Sequence, residues 1–204
     1  MNDGPGARGD AARRDERDLA QWTTDLADER GPEIQRYGTL RKLPIGLPDD
    51  ARRESCELLN EILADSMVLY SMYKKHHWLV AGPTFYQLHL LFDKHAEEQN
   101  EIIDVVAERV QSLGGIAVGD PRHAAELTTI PRPPDGAEEV GVMIDRTLAA
   151  HETVIKKVRA GIKATEESED WSSNDILMSD VLRRNELQVW FIAEHVVDVP
   201  LVEA

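Results

Sequence analysis

His77, His89, Asp93, Asp104 and Glu108 are the residues of this 204-residue chain whose types and spacing point to chemistry. They lie in HHWLVAGPTFYQLHLLFDKHAEEQNEIIDVVAERVQSLGG, where Pro83 can open a helix as its first residue and Gly114-Gly115 can close it. At about 100° per residue, the last four share one helix face roughly 100° wide. They form two i,i+4 pairs, His89/Asp93 and Asp104/Glu108, whose side chains can meet. Imidazole with carboxylates suits a redox-active first-row metal such as Fe(II) better than the Cys-rich ligand sets of structural zinc. The pairs are about 16 Å apart along a helix, whereas metal–ligand bonds are roughly 2.0–2.6 Å. No proline breaks the helix between them, so one chain cannot close a site with both. A second copy packed antiparallel across a two-fold axis would set each His/Asp pair against the partner's Asp/Glu pair. The spacing predicts a metal site made between chains.

Each pair also has a plainer reading, because an isolated His/Asp or Asp/Glu pair on a helix is usually solvated decoration. Two pairs on one face, with His77 ending the preceding helix, favour the site. Asp104 and Glu108 repel each other at i,i+4 and so welcome a cation. Glu97 and Glu101 extend the stripe as solvated charge, or as iron-nucleating carboxylates if the face lines a cavity. His76 and His95 flank the ligands and read as structural or exposed. His123, His151 and His195 join no ligand constellation. Trp190 and Phe191 read as core.

The elements that must position these residues are helical. A first helix runs from about Asp50 to Val80, capped by Asp49 or Asp50, with Leu58, Leu59, Ile62, Leu63, Leu69, Tyr70 and Tyr73 as its stripe. The His89–Glu108 helix follows. A connection of about 20 residues, long for a bundle, crosses over with a short helix near Arg122–Leu127. A third helix spans about 137–167, and a fourth begins after Ser172/Ser173 and ends near Val197. There is no strand pattern and no internal repeat. The expected architecture is all-α, a ferritin-like four-helix bundle over residues 49–198 with a long crossover between helices 2 and 3. Residues 1–48 read as a flexible N-terminal extension followed by an extended arm marked by Pro32, Gly38, Pro44, Gly46 and Pro48. Residues 199–204 read as a short C-terminal tail.

Composition narrows the function classes. A net charge of −15 argues against a general nucleic-acid binder and suits a surface or cavity that gathers cations. The single cysteine, Cys56, rules out an intramolecular disulfide, fits a reducing cytosol and reads as packed rather than reactive. With no apolar run of about 18 residues and no signal-peptide core, the expectation is a soluble cytoplasmic protein. HExxH, paired cysteines and Glu-x-x-His are all missing. The last absence matters most, because common di-iron bundles build their site from Glu-x-x-His on two helices of one chain. It places the metal at the interface rather than in the bundle core.

His77-Trp78, Gly82-Pro83, Phe85, His89, Asp93, Asp104, Ala107-Glu108-Arg109 and Leu113-Gly114-Gly115 together resemble the Dps family, the mini-ferritins named as DNA-binding proteins from starved cells. The resemblance extends over about residues 50–197, including Trp190–Ile192. It implies a homododecamer with intersubunit ferroxidase centres around a hollow iron store. His77, His89 and Asp93 would come from one subunit, and Asp104 and Glu108 from its two-fold mate. In similar proteins Fe(II) is oxidised to Fe(III), usually with H2O2 in preference to O2, and no organic cofactor is expected. Trp78 corresponds to a tryptophan beside the centre, a sink for stray oxidising equivalents or an interface residue. Asp175, with Asp180 as second choice, is the match for the acidic residues of the iron-entry pore.

The departure lies in DNA binding, which the family commonly achieves through a Lys-rich terminus. Here the terminus has no lysine, and Arg8, Arg13, Arg14, Arg17 and Arg30 are outnumbered by Asp3, Asp10, Asp15, Glu16, Asp18, Asp25, Asp28 and Glu29. DNA binding is therefore expected to be weak or absent. The reading is an iron-storing ferroxidase that protects DNA by removing iron and peroxide. The alternative is a nucleoid-compacting DNA binder with secondary iron binding. A 24-subunit ferritin-like shell fits poorly without Glu-x-x-His.

Overall fold

The computed structural model describes residues 33–197. The flexible tail expected over residues 1–30 and the tail expected over 199–204 lie outside the described residues. The chain divides into two units, Met1–Ile34 and Gln35–Ala204, and every element described belongs to the second. These are α1 (Asp49–Leu79), α2 (Phe85–Ser112), α3 (Pro121–Leu127), α4 (Val140–Glu167), α5 (Trp171–Ile176), a π-helical segment (Leu177–Leu182) and α6 (Arg183–Ala193). No strand occurs among the described residues. The last three run on as one interrupted helix, so the unit is a four-helix bundle with α3 in its crossover.

Apolar spacing explains the packing. Leu59, Ile62, Leu63, Leu69, Met72 and Tyr73 recur at helical intervals on α1 and are buried against α2 and α4. Leu88, Phe92, Ile102, Val106 and Val110 do the same on α2. The crossover is held by two polar residues of α1. Asn60 donates to Ile116 O and accepts from Val118 N. Asp65, fully buried, accepts from Thr128 Oγ1 at 2.7 Å and Thr129 N at 2.9 Å, and pairs with Lys157 Nζ at 2.7 Å. A buried carboxylate with that many donors is stable in place; one stripped of them costs several kcal/mol.

Several boundaries differ from the sequence expectation. Pro83 does not open α2; Thr84 is its N-cap residue and Phe85 its first, because Gly82, at φ +95°, and Pro83 complete a turn before it. Neither Asp49 nor Asp50 caps α1, whose N-cap is Pro48. Asp49 instead pairs with Arg52 within the first turn. The third long helix begins at Val140, not Ala137. The last begins at Trp171 behind the N-cap Asp170, which accepts from Ser173 N and holds Arg109 Nη2 at 2.6 Å. Gly114-Gly115 closes α2 as expected. Gly114, at φ +87°, donates to Gln111 O and Gly115 to Val110 O, a Schellman closure. A Cβ on Gly115 would sit 2.6 Å from Cys56 Sγ, so Cys56 is packed against this cap.

Candidate metal centre

His77 lies in the last turn of α1 and His89 in the second turn of α2, where the short turn between the helices brings them together. Their rings stack with centroids 3.8 Å apart and planes 20° apart. Each Nδ1 meets the other residue's backbone carbonyl, His77 to His89 O at 2.8 Å and His89 to His77 O at 2.9 Å. A carbonyl oxygen only accepts, so each Nδ1 carries a proton, and Nε2 is the nitrogen each ring has left for a metal. That arrangement orients imidazoles for metal binding, with the second nitrogen fixing ring and tautomer. Phe85 packs on His89 with centroids 5.0 Å apart.

Asp93, one turn beyond His89, brings Oδ1 to 3.9 Å from His77 Nδ1. The same oxygen holds Lys74 Nζ at 2.5 Å. The hydrogen bond from Lys74 holds the Asp93 carboxyl below its usual range, and the same bond raises the Lys74 ammonium. The pair stands partly in solvent and contributes little to stability.

Asp104 and Glu108 are exposed farther along α2, and neither forms an ion pair or side-chain hydrogen bond with another described residue. The chain thus brings three of the five residues together and leaves two apart. Among the described residues, no group of three or more His, Cys, Asp and Glu is placed to hold a metal. Glu97 and Glu101 are exposed between the two groups, with Glu101 paired to Arg184. Asp175 is exposed and accepts from Ser179; Asp180 is half-buried in the π segment.

Trp78 is 70% exposed beside this region, and Phe85, Tyr86 and Leu90 are also exposed. Trp190 and Phe191 correct the expectation that they are core: they are 59% and 40% exposed. They follow the helical apolar pattern, which marks a face to be covered without saying by what. Trp190 Nε1 donates to Glu194 Oε1 at 3.1 Å, and Lys94 lies over the Phe191 ring.

Sequence reasoning missed a second cluster, in the bundle core. Tyr73 (α1), His95 and Gln99 (α2), His151 (α4), and Asn185 and Gln188 (α6) are all fully buried and joined by hydrogen bonds. His76, fully buried beside it, bonds Thr147 Oγ1 at 3.0 Å. Burial pushes His151 down to about 3, and His95 and His76 to about 4. The available signal was polar residues standing at apolar-stripe positions on all four helices at one height.

Known proteins resemble this chain over most of its length. A family model described as a ferritin-like domain matches residues 56–202. The solved structure of DpsC from Streptomyces coelicolor is 57% identical, with a TM-score of 0.82, covering 84% of this chain and 100% of that one. A Dps homologue from Halobacterium salinarum is 26% identical, with a TM-score of 0.80, covering 85% of this chain and 97% of that one. A nutrient stress-induced DNA-binding protein of a Synechococcus strain is 31% identical over 160 residues, 78% of this chain and 90% of its own length.

Proposed function

Because the chain belongs to the ferritin-like family and, within it, to the Dps proteins, we propose that it is an iron-storing ferroxidase working at centres shared between two copies. One observation carries the reading. His77 and His89 are locked through Nδ1 with Nε2 left over, and Asp93 Oδ1 lies 3.9 Å from the His77 ring. Asp104 and Glu108 stand without a partner among the described residues, about 16 Å along the helix that carries His89 and Asp93. An antiparallel two-fold mate supplies the missing carboxylates to each half. The exposed Trp78, Phe85, Tyr86 and Leu90 give that contact an apolar surface to bury.

Iron is the substrate. Two Fe(II) surrender one electron each to one H2O2, which with two protons leaves as two waters, so no hydroxyl radical is released. The imidazoles and carboxylates bind the divalent ion, and the carboxylates favour the ferric product. Lys74 neutralises Asp93 until Fe(II) displaces its ammonium. Trp78, at the edge of the site, is placed to donate an electron to a stray oxidant. Fe(II) enters past Asp175 or Asp180, and ferric oxide collects inside a dodecamer, with Glu97 and Glu101 as nucleating carboxylates. No helix among the described residues is long and apolar enough to cross a membrane.

The test is anaerobic loading with Fe(II), then stoichiometric peroxide, with assembly followed by light scattering. Fast oxidation at two iron per peroxide in a twelve-subunit particle is expected; a fully active monomer would end the reading. Some relatives are named for DNA binding, yet a charge of −15 per subunit repels phosphate most strongly at low salt. No retardation of duplex DNA is expected in a gel-shift assay with EDTA present. Tight, salt-sensitive binding there would raise the DNA-compacting alternative above this one.

A further inference from the structure

The buried polar cluster has a direction that follows from one amide. Asn185 Nδ2 donates to Val181 O at 2.8 Å, and a backbone carbonyl accepts only, so the orientation of the Asn185 amide is set. Its Oδ1 therefore faces His151 Nδ1 at 2.9 Å and must accept from it. With the proton on Nδ1, His151 Nε2 has a lone pair, and it faces the Tyr73 hydroxyl. Tyr73 accordingly donates to His151. His95 Nδ1, 3.2 Å from the same hydroxyl, donates to the Tyr73 oxygen. The protons are thus ordered from His95 to Tyr73 to His151 to Asn185, in a core that water does not reach.

We propose that Tyr73 and His151 form an internal electron donor, in which oxidation of the Tyr73 phenol passes its proton to His151 Nε2 along the existing hydrogen bond. Its role in iron chemistry rests on the ferroxidase reading above. When peroxide meets a centre holding a single Fe(II), it yields Fe(III), hydroxide and a hydroxyl-radical-class oxidant. That oxidant takes one electron from Tyr73 and becomes hydroxide, leaving a neutral tyrosyl radical and a His151 imidazolium. A second Fe(II) later returns one electron, His151 returns the proton, and the phenol is restored. The sum is two Fe(II) oxidised per peroxide, as in the paired reaction, so a half-filled centre is made safe.

The surroundings suit this role. Burial, together with the Glu98 carboxylate, pushes the Tyr73 phenol well above its usual range, so it does not ionise beforehand and its electron and proton leave together. Glu98 is tied to the cluster through Gln188 Nε2 at 2.8 Å. Tyr73 lies one turn, about 6 Å of helix rise, before His77. Its ring is 6.1 Å, centroid to centroid, from Phe92, the chain neighbour of Asp93.

The experiment uses the whole assembled protein in two arms read by rapid-freeze electron paramagnetic resonance. In the first, a photoexcited ruthenium polypyridyl with persulfate oxidises the iron-free protein; in the second, one Fe(II) per centre meets H2O2. Ring-deuterated tyrosine identifies the radical as tyrosyl. The chain has four tyrosines, so Tyr37→Phe, Tyr70→Phe and Tyr86→Phe combined leave only Tyr73. The expected result is a tyrosyl signal retained in that triple variant, lost in Tyr73→Phe, and slower to form in His151→Phe and in deuterated water. No tyrosyl radical from the triple variant in either arm overturns the pair. A light-driven tyrosyl signal without any Fe(II) oxidation supports the pair and overturns the ferroxidase reading alone. A light-driven signal alongside fast iron oxidation that leaves no tyrosyl overturns its place in the iron reaction.

Discussion

The His77/His89 end of the molecule and the Tyr73/His151 core use the same side-chain type for opposite ends. At the helix end, two imidazoles spend one nitrogen each on a backbone carbonyl and leave the other for the proposed metal, in reach of solvent. In the core, His151 commits both nitrogens to protein groups and lies wholly out of water. A half-made site tolerates change because solvent serves its loose ends. A closed network does not, since each lost partner leaves a buried group unsatisfied.

The largest expected effect lies at the open site. Asp104→Ala with Glu108→Ala should slow rapid Fe(II) oxidation by more than the roughly 10–100-fold that outer-shell changes alone cause. Circular dichroism and melting should stay near wild type, within about 0.5 kcal/mol, as both residues are exposed. Wild-type rates in stopped-flow oxidation would remove these carboxylates from the site. His77→Ala or His89→Ala should slow oxidation less, each taking one ligand from a mixed set.

The converse pattern is expected from the core. Asn185→Ala removes the acceptor of His151 Nδ1 and one of the two acceptors of Gln99 Nε2 and should cost about 2–4 kcal/mol in denaturant unfolding. Peroxide-driven iron oxidation per folded subunit should change far less than in the carboxylate variant. Equal losses of activity in both would erase the distinction between the two regions.

Acid sharpens the contrast. Burial holds His151 at about 3 in the folded chain, against about 6.5 when unfolded. Its neutral form is therefore favoured by folding: the contribution is complete above pH 6.5 and lost as pH falls from there toward 3. The slope is on the order of 1.4 kcal/mol per pH unit for this one histidine. His151→Gln should flatten the decline in melting temperature below pH 6, and an unchanged decline would assign the acid sensitivity elsewhere.

The smallest effect concerns Lys74. Lys74→Met frees Asp93 from a partly exposed ion pair, worth about 0.2–1 kcal/mol, so Fe(II) affinity should rise by at most about fivefold. Weaker binding in anaerobic titration would mean that Lys74 supports the site rather than competing for Asp93.

Much of the bundle could be read from residue order. The apolar stripes of α1 and α2 and the Gly114-Gly115 stop each act through neighbours three to five positions away, the range over which sequence speaks directly. The five candidate residues stood out because two i,i+4 pairs share one helix face with His77 just before it, although a single such pair is usually solvated decoration. Less legible were features set by distant partners. Trp190 and Phe191 obey the pattern of a core yet face outward, because periodicity marks an apolar face and not its cover. Asp65 and Asn60 hold a crossover some 60 residues away, and no local pattern announces that. Tyr73, Gln99, His151 and Asn185 look like interruptions on their own helices, and become a network only when four helices are laid side by side.

The π segment adds a consequence of another kind. Its defining bond, Arg183 N to Met178 O, spans five residues instead of four, so Leu177–Leu182 carries one residue more than an α-helix of that rise needs. Drawn as a straight α-helix, the chain beyond it would be rotated by about 100°, turning Asn185 and Gln188 away from His151 and Gln99. The bulge takes up that rotation, and Asn185 Nδ2 serves the Val181 carbonyl beside it. The two halves of the last helix are thereby uncoupled in length. A one-residue deletion within 177–182 is one that this helix can heal in place, whereas the same deletion a turn later would carry the core polar residues to the wrong side. For a lineage of such chains, the segment is where the last helix can change length without changing which side chains meet.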